Sequence, residues 1–204
     1  MTSNPLVFII DDDHGVRDSL NMLMISAGLK AKTYPSANVF LENFDDSHTG
    51  CIITDIRMPG LSGIELHQKL IEQNITLPVI FITGHGDVKM AVDAMKAGAL
   101  DFLEKPIDNH ILLERVKRCI NLSQSDSPFN PSLTTNNAKL LNKLTSRERQ
   151  VMELLVKGKM NKTIAAELNI SVRTIEAHRA KIMKKLDARS LSDIVKIALS
   201  QPLH

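Results

Sequence analysis

The apolar positions of this chain change their period along its length. Four short runs are almost continuously apolar: Leu6-Val7-Phe8-Ile9-Ile10, Cys51-Ile52-Ile53-Thr54, Val79-Ile80-Phe81-Ile82 and Asp101-Phe102-Leu103. Runs of this length, apolar on both faces, read as strands buried inside a parallel sheet. Between them the spacing becomes helical. Val16, Leu20, Leu23 and Met24 recur at three- to four-residue steps, as do Ile64, Leu66, Leu70 and Ile71, and later Ile111, Leu112, Val116 and Ile120. A further strand is expected near 29–34, with helices near 36–43, 88–97 and 108–121. Gly28 and Gly98 stand where helix C-caps belong. Strand and helix alternate five times, which predicts an α/β fold with a doubly wound five-stranded parallel sheet.

Beyond residue 122 the pattern changes. Residues 123–137 hold two prolines and little that could form a core, so they read as a linker, either bent and partly ordered or free coil. No strand pattern follows. Thr145-Ser-Arg-Glu148 fits a capping box, with Val151, Leu154 and Leu155 as the apolar face behind it. Gly158 stops that helix, and a short helix is expected over about 161–168, then a turn at Asn169-Ile170. Ser171 is the N-cap expected for a helix to about Leu186, and a last helix is expected near 190–200. The expected domains are therefore 1–122, a linker at 123–140, and an all-helical module at 141–204.

Charge divides the chain at the same place. Residues 1–122 carry 11 Lys+Arg against 16 Asp+Glu, a net of −5; the remainder carries 14 against 7, a net of +7. An acidic module followed by a basic one implies different partners, the second partner polyanionic. Cys51 and Cys119 fall on core positions and read as small apolar residues. No apolar run approaches the length of a membrane span, and the residues before the first strand are too few for a signal peptide. A cytoplasmic protein with no membrane partner is expected.

The chemistry of the first half lies where its strands stop. They end on Asp11-Asp12, Asp55, Thr83 and Lys105. Doubly wound sheets carry their working site at the carboxyl ends of the strands, so these residues should meet in one crevice. Three acids brought together need a cation, and Mg²⁺ suits carboxylate and carbonyl oxygens. Asp55, the middle acid, is both a ligand and a nucleophile candidate, able to take a phosphoryl group as an aspartyl phosphate. Mg²⁺ and the Lys105 ammonium would neutralise charge developing on the transferred group, and the Thr83 hydroxyl could hydrogen-bond it afterwards. Asp13 reads as the cap of the next helix. His14, His48, His67, His85 and His110 share no metal spacing and read as surface or loop residues.

In the basic half, Arg173, Ala177, Ala180 and Lys184 form one stripe of the 172–186 helix, flanked by Glu176 and Lys181, while Ile175, Ile182 and Leu186 form the core side. Short side chains among basic ones let a helix approach a major groove while cations meet phosphates. The segment Asn161–Ile170 would be the supporting element of a helix-turn-helix.

The motifs Ile-Ile-Asp11-Asp12-Asp13, Thr54-Asp55-Ile56-Arg57-Met58-Pro59-Gly60-Leu-Ser-Gly63, Thr83-Gly84-His85-Gly86-Asp87, Met95-Lys96-Ala-Gly-Ala and Asp101-Phe102-Leu103-Glu104-Lys105-Pro106 resemble the receiver domain of bacterial two-component response regulators. The resemblance implies Asp55 as phosphoacceptor, with Asp12 and the Arg57 carbonyl on Mg²⁺ (or Mn²⁺) and Asp11 acting through water. It implies Thr83 and Lys105 on the phosphoryl oxygens, Phe102 as the aromatic that switches with Thr83, and a cis Lys105–Pro106 bond. Residues 144–199, with Leu144-Thr-Ser-Arg-Glu148, Gly158-Lys-Met-Asn161-Lys-Thr-Ile164-Ala165 and Arg173-Thr174-Ile175-Glu176-Ala177-His178-Arg179, resemble a LuxR-type DNA-binding domain.

Together the two halves resemble a FixJ/NarL-type response regulator. That resemblance puts base reading on Glu176, Ala177 and Ala180, and phosphate contacts on Thr174, His178, Arg179, Lys181 and Lys184. It puts dimerisation on Val92 and Lys96 of the receiver and on Leu191, Ile194 and Val195 of the last helix. It implies a histidine kinase as donor, a homodimer on phosphorylation, a two-fold promoter site on double-stranded DNA and RNA polymerase as a further partner. It implies no enzyme beyond the receiver's own phosphoryl transfer and dephosphorylation.

Two other readings compete. A phosphohydrolase of the haloacid-dehalogenase type also uses Asp, Mg²⁺, Thr or Ser, and Lys. It needs an acid two residues after the nucleophile, where this chain has Arg57, and its nucleophile normally ends the first strand. A receiver gating a protein-interaction module accounts for Asp55 but leaves the basic stripe without a role.

Overall fold

In a computed structural model of the chain, the described residues are 5–45, 48–84, 88–123 and 134–200. They fall into two compact units, formed by the described parts of Met1–Thr83 with Gly98–Phe129, and of Gly84–Ala97 with Asn130–His204.

The first unit is built on five parallel strands, β1 (Leu6–Ile10), β2 (Lys30–Tyr34), β3 (Gly50–Asp55), β4 (Val79–Thr83) and β5 (Asp101–Glu104). Their order is β2-β1-β3-β4-β5. The three central strands β1, β3 and β4 are apolar over most of their length on both faces, because helices cover both sides. Helices α1 (His14–Ser26), α2 (Ala37–Asn43), α3 (Gly63–Glu72) and α5 (Asn109–Ser123) belong to this unit; α4 (Val88–Lys96) groups with the second. Alternate strand residues feed two cores. Val7, Ile9, Cys51, Ile53, Ile80, Ile82 and Leu103 pack with Leu20 and Met24 of α1 and Leu112, Val116 and Cys119 of α5. On the other face Phe8 meets Phe40 edge-on at 5.4 Å between ring centroids.

Local sequence sets the helix starts. Asp13 caps α1 through its side chain on the Val16 N–H at 3.1 Å, as expected, and Ser62 and Glu65 form a reciprocal capping box on α3. Gly28 follows α1 with φ +75°. Both cysteines are free and buried; the Cys119 thiol beside it, and then burial, push the Cys51 thiol up. His67 differs from its surface reading, since it is half-buried on α3 with its ring 5.8 Å from Phe81 and burial lowers its pKa. Ile71 also differs: it is 46% exposed, because Leu66 and Leu70, four residues apart, define the stripe facing the sheet and Ile71 lies a further 100° around the helix.

In the second unit, α6 (Thr134–Leu141), α7 (Ser146–Val156), α8 (Asn161–Glu167), α9 (Val172–Leu186) and α10 (Leu191–Leu199) form the helical module. Its core holds Val151, Leu155, Ile164, Ile175, Ile182, Leu186, Ile194 and Val195. The Thr145–Glu148 capping box on α7 is present. Asn169 takes φ +52° in the α8–α9 turn, and the Ser171 hydroxyl caps α9 through the Thr174 N–H.

The expected linker is partly helical. Residues 124–133 lie outside the described residues, but α6 occupies 134–141. Two features hold it in the module: Asn137 Nδ2 donates to Ser200 Oγ at 2.8 Å, and Arg149 Nη2 donates to the Leu141 carbonyl at 2.8 Å. Among the described residues no helix is long and apolar enough to cross a membrane.

Candidate phosphoacceptor site and nucleic-acid interface

Strand register brings the predicted acids together. Ile10 pairs with Thr54, so Asp11 and Asp55, each one residue further on, stand side by side at the carboxyl ends of β1 and β3. The chain winds outward to β2 from one of these strands and toward β4 and β5 from the other, which makes this the topological switch point where doubly wound sheets open a crevice. Asp55 pairs with Ile82, placing Thr83 one step beyond it. Thr83 pairs with Glu104, and Lys105 N donates to the Thr83 carbonyl at 2.8 Å. The Lys105–Pro106 peptide is cis.

The Lys105 ammonium reaches from the end of β5 past β4 and hydrogen-bonds Asp55 Oδ2; it lies 3.9 Å from Asp11 Oδ2. The other Asp55 oxygen, Oδ1, accepts the Arg57 backbone N–H at 2.9 Å. Burial alone would lower the Lys105 pKa, but the hydrogen bond and charge of Asp55, aided by Asp11 and Asp12, outweigh it and hold the ammonium above its usual range. Asp11 is pushed the opposite way from most carboxylates. Burial raises it, against the lowering effects of the Asp13 N–H and Lys105.

Asp11 and Thr83 are buried, Asp55 is 8% exposed, and Asp12 is exposed. Phe102, the predicted switch aromatic, is turned inward and buried. His85, Gly86 and Asp87 lie outside the described residues.

Asp11 Oδ2 is buried and accepts no hydrogen bond among the described residues. An orphaned carboxylate oxygen is costly, and a hard divalent cation satisfies it well. Asp11, Asp12, Asp55 and the Arg57 carbonyl offer oxygen donors only, a set that fits Mg²⁺ or Mn²⁺ and not a soft metal. As the side chains stand, no three His, Cys, Asp or Glu among the described residues are gathered as a ligand cluster. The residue two beyond Asp55 is Arg57, whose backbone N–H donates to the carboxylate, so a hydrolase's second acid is absent from that position.

Gly63 and Arg17 complete the site. A Cβ on Gly63 would lie 2.2 Å from the Asp55 carbonyl oxygen, so α3 can start this close only with glycine. Arg17 Nη1 donates to the Asp11 carbonyl at 2.7 Å. Sequence reading missed Arg17, which looks like any exposed residue of an amphipathic helix.

In the helical module α9 presents its predicted stripe. Arg173, Thr174, Glu176, Ala177, Ala180, Lys181 and Lys184 are exposed, while His178 and Arg179 are half-buried. Arg179 Nη1 donates to Asn161 Oδ1 of α8 at 2.9 Å, and His178 Nδ1 is buried without a hydrogen bond among the described residues. Lys185 Nζ donates to Glu148 Oε2 at 2.6 Å, and Arg147 Nη2 to the Leu168 carbonyl at 2.8 Å. These ties hold α8 against α9 and fasten α7 to both helices of the helix-turn-helix. Sequence reading missed the Glu148–Lys185 pair, 37 residues apart, because no local pattern links them. Of the dimerisation residues, Val92, Leu191, Ile194 and Val195 are buried within the chain, and Lys96 is exposed and pairs with Asp93.

Both halves of the chain match known protein families. Residues 7–117 match the response regulator receiver domain, and 142–198 match the LuxR family of bacterial regulatory proteins. The chain is 43% identical to the transcriptional regulatory protein FixJ of Bradyrhizobium diazoefficiens, covering 98% of this chain and 97% of that protein. It is 45% identical to FixJ of Azorhizobium caulinodans over 95% of this chain and 91% of that one. The crystal structure of full-length FixJ from B. japonicum superposes with a TM-score of 0.57 at 42% identity, covering 98% of each chain. A receiver joined to a LuxR-type DNA-binding domain, with likeness to FixJ along nearly the whole length, makes this chain a FixJ-family response regulator, a transcriptional regulator of a two-component system.

Proposed function

We propose that Asp55 accepts a phosphoryl group from the phosphohistidine of a cognate histidine kinase, and that the modified protein dimerises and binds a two-fold site in promoter DNA. The observation that carries this reading is the Lys105 ammonium on the Asp55 carboxylate at the β1–β3 switch point. A carboxylate oxygen attacks phosphorus, the P–N bond to the kinase histidine breaks, and the electron pair leaves with the imidazole. Lys105 is placed to neutralise the phosphoryl oxygens as their charge grows.

Asp11, Asp12, Asp55 and the Arg57 carbonyl would hold Mg²⁺ or Mn²⁺, which supplies further charge neutralisation when bound. The Thr83 hydroxyl then hydrogen-bonds the stored phosphoryl group, and Phe102 responds to its movement. The receiver acts as a catalyst only on itself, setting and clearing its own aspartyl phosphate.

Val92 and Lys96 serve the receiver dimer, and Leu191, Ile194 and Val195 the dimer on DNA. Because Val92, Leu191, Ile194 and Val195 are buried within the chain, dimerisation needs them to be uncovered. The protein works in the cytoplasm, where kinase, DNA and RNA polymerase meet.

The test is phosphoryl uptake from acetyl phosphate with Mg²⁺, read by intact-protein mass spectrometry. Wild type should gain one phosphoryl group and Asp55→Asn none; uptake persisting in Asp55→Asn would overturn the assignment.

A further inference from the structure

Every charged residue in the exposed stripe of α9 is basic except Glu176. It is exposed, and neither hydrogen-bonds nor pairs with a basic group among the described residues. Its i+3 neighbour Arg179 turns instead to Asn161. On a surface meant for a polyanion, an unneutralised carboxylate opposes binding at every phosphate. Its neighbours on the stripe, Ala177 and Ala180, are exposed methyl groups that let the backbone come close to a groove floor. The acid is therefore carried to the base edges, and its chemistry there is narrow. It can only accept hydrogen bonds.

In the major groove guanine offers two acceptors, thymine an acceptor and a methyl group, and adenine a donor beside an acceptor; cytosine alone offers a donor without an adjacent acceptor on the same base. We infer that Glu176 is the specificity-determining residue of α9, accepting a hydrogen bond from the N4 amino group of one cytosine in each half-site. Ala177 and Ala180 pack on the neighbouring bases, and Lys184 holds phosphate. This rests on the reading of α9 as the helix that enters the groove.

The test is selection of duplexes from a random pool by the full chain treated with acetyl phosphate and Mg²⁺, followed by sequencing and titration of the selected sites. Wild type should enrich two-fold sites with a fixed G·C pair in each half. Glu176→Ala should lose preference at that pair alone, removing roughly 5- to 150-fold of discrimination. Glu176→Gln should move the preference there to adenine, whose N6 and N7 match a side-chain amide. Lys184→Ala should weaken all sequences together and leave the consensus unchanged.

Circular dichroism controls for folding, which an exposed, unpaired residue should not disturb. If Glu176→Ala selects the wild-type consensus, or loses preference at an A·T pair, the cytosine assignment is overturned. If natively folded wild type enriches no duplex at all, the reading of α9 as the DNA helix fails, and the inference with it.

Discussion

The Lys185 ammonium lies 2.6 Å from Glu148 Oε2, joining the last turn of α9 to the first turn of α7. The same carboxylate oxygen accepts the Thr145 N–H at 2.8 Å, so one buried acid both caps α7 and anchors α9. The Lys185 hydrogen bond, then the Thr145 N–H, hold the Glu148 carboxyl down at about 2 from its ordinary 4.5. A depressed carboxylate stabilises the fold above its unfolded pKa and loses that contribution as pH falls through the folded one. The stability gap between wild type and Glu148→Gln should therefore be constant above about pH 4.5 and close by about pH 2. Denaturant unfolding of both proteins across that range, followed by circular dichroism at 222 nm, measures it.

Gly63 against Asp55 predicts a loss with two readouts. Glycine is required there by the 2.2 Å approach to the Asp55 carbonyl oxygen, a backbone atom that cannot swing aside. Gly63→Ala should cost about 1–3 kcal/mol of stability and slow phosphoryl uptake by moving the end of β3. Urea denaturation and acetyl phosphate uptake test the two parts; an alanine variant of unchanged stability and rate would refute the steric argument.

Lys105 should matter for rate more than for fold. Its side chain is about one-third exposed, so it contributes little to the core, and what its removal leaves behind is the pair of carboxylates Asp11 and Asp55. Lys105→Ala should slow phosphoryl uptake by about 10²- to 10³-fold, the usual effect of losing one preorganised charge-stabilising group. Time-resolved mass spectrometry with acetyl phosphate measures the rate.

Arg179 and Lys184 are both basic residues of α9, but the structure separates their roles. Lys184 is exposed and should contribute counterion release, so Lys184→Ala should lower the slope of log affinity against log salt by about one. Arg179 is held by Asn161. Asn161→Ala should lower DNA affinity without changing that slope, because it loosens the α8–α9 angle and leaves the phosphate charges in place. Fluorescence anisotropy with labelled duplex at several salt concentrations distinguishes the two.

Much of the molecule can be read from local pattern. The four apolar runs are β1, β3, β4 and β5 within a residue or two at their ends, and their terminal residues do meet. Caps at Asp13, Thr145 and Ser171 follow from side-chain oxygens three residues from an orphan N–H. Helix α6 escaped such reading because Thr134-Thr-Asn-Asn is a poor helix sequence on its own, held by Asn137 and Leu141 contacts made with distant residues.

Period and terminal chemistry are properties of neighbours along the chain, so the alternating sheet, the helical second half, the acids at the strand ends and the basic stripe of α9 follow from residue order. Which acid is buried with an orphan oxygen, which lysine reaches Asp55, and which basic residues of α9 face outward depend on atoms far apart in the chain. Lys105 meets Asp55 across 50 residues and Lys185 meets Glu148 across 37. Long-range packing settles such pairings, since it alone sets burial and the loss of solvent that make a charge choose one partner.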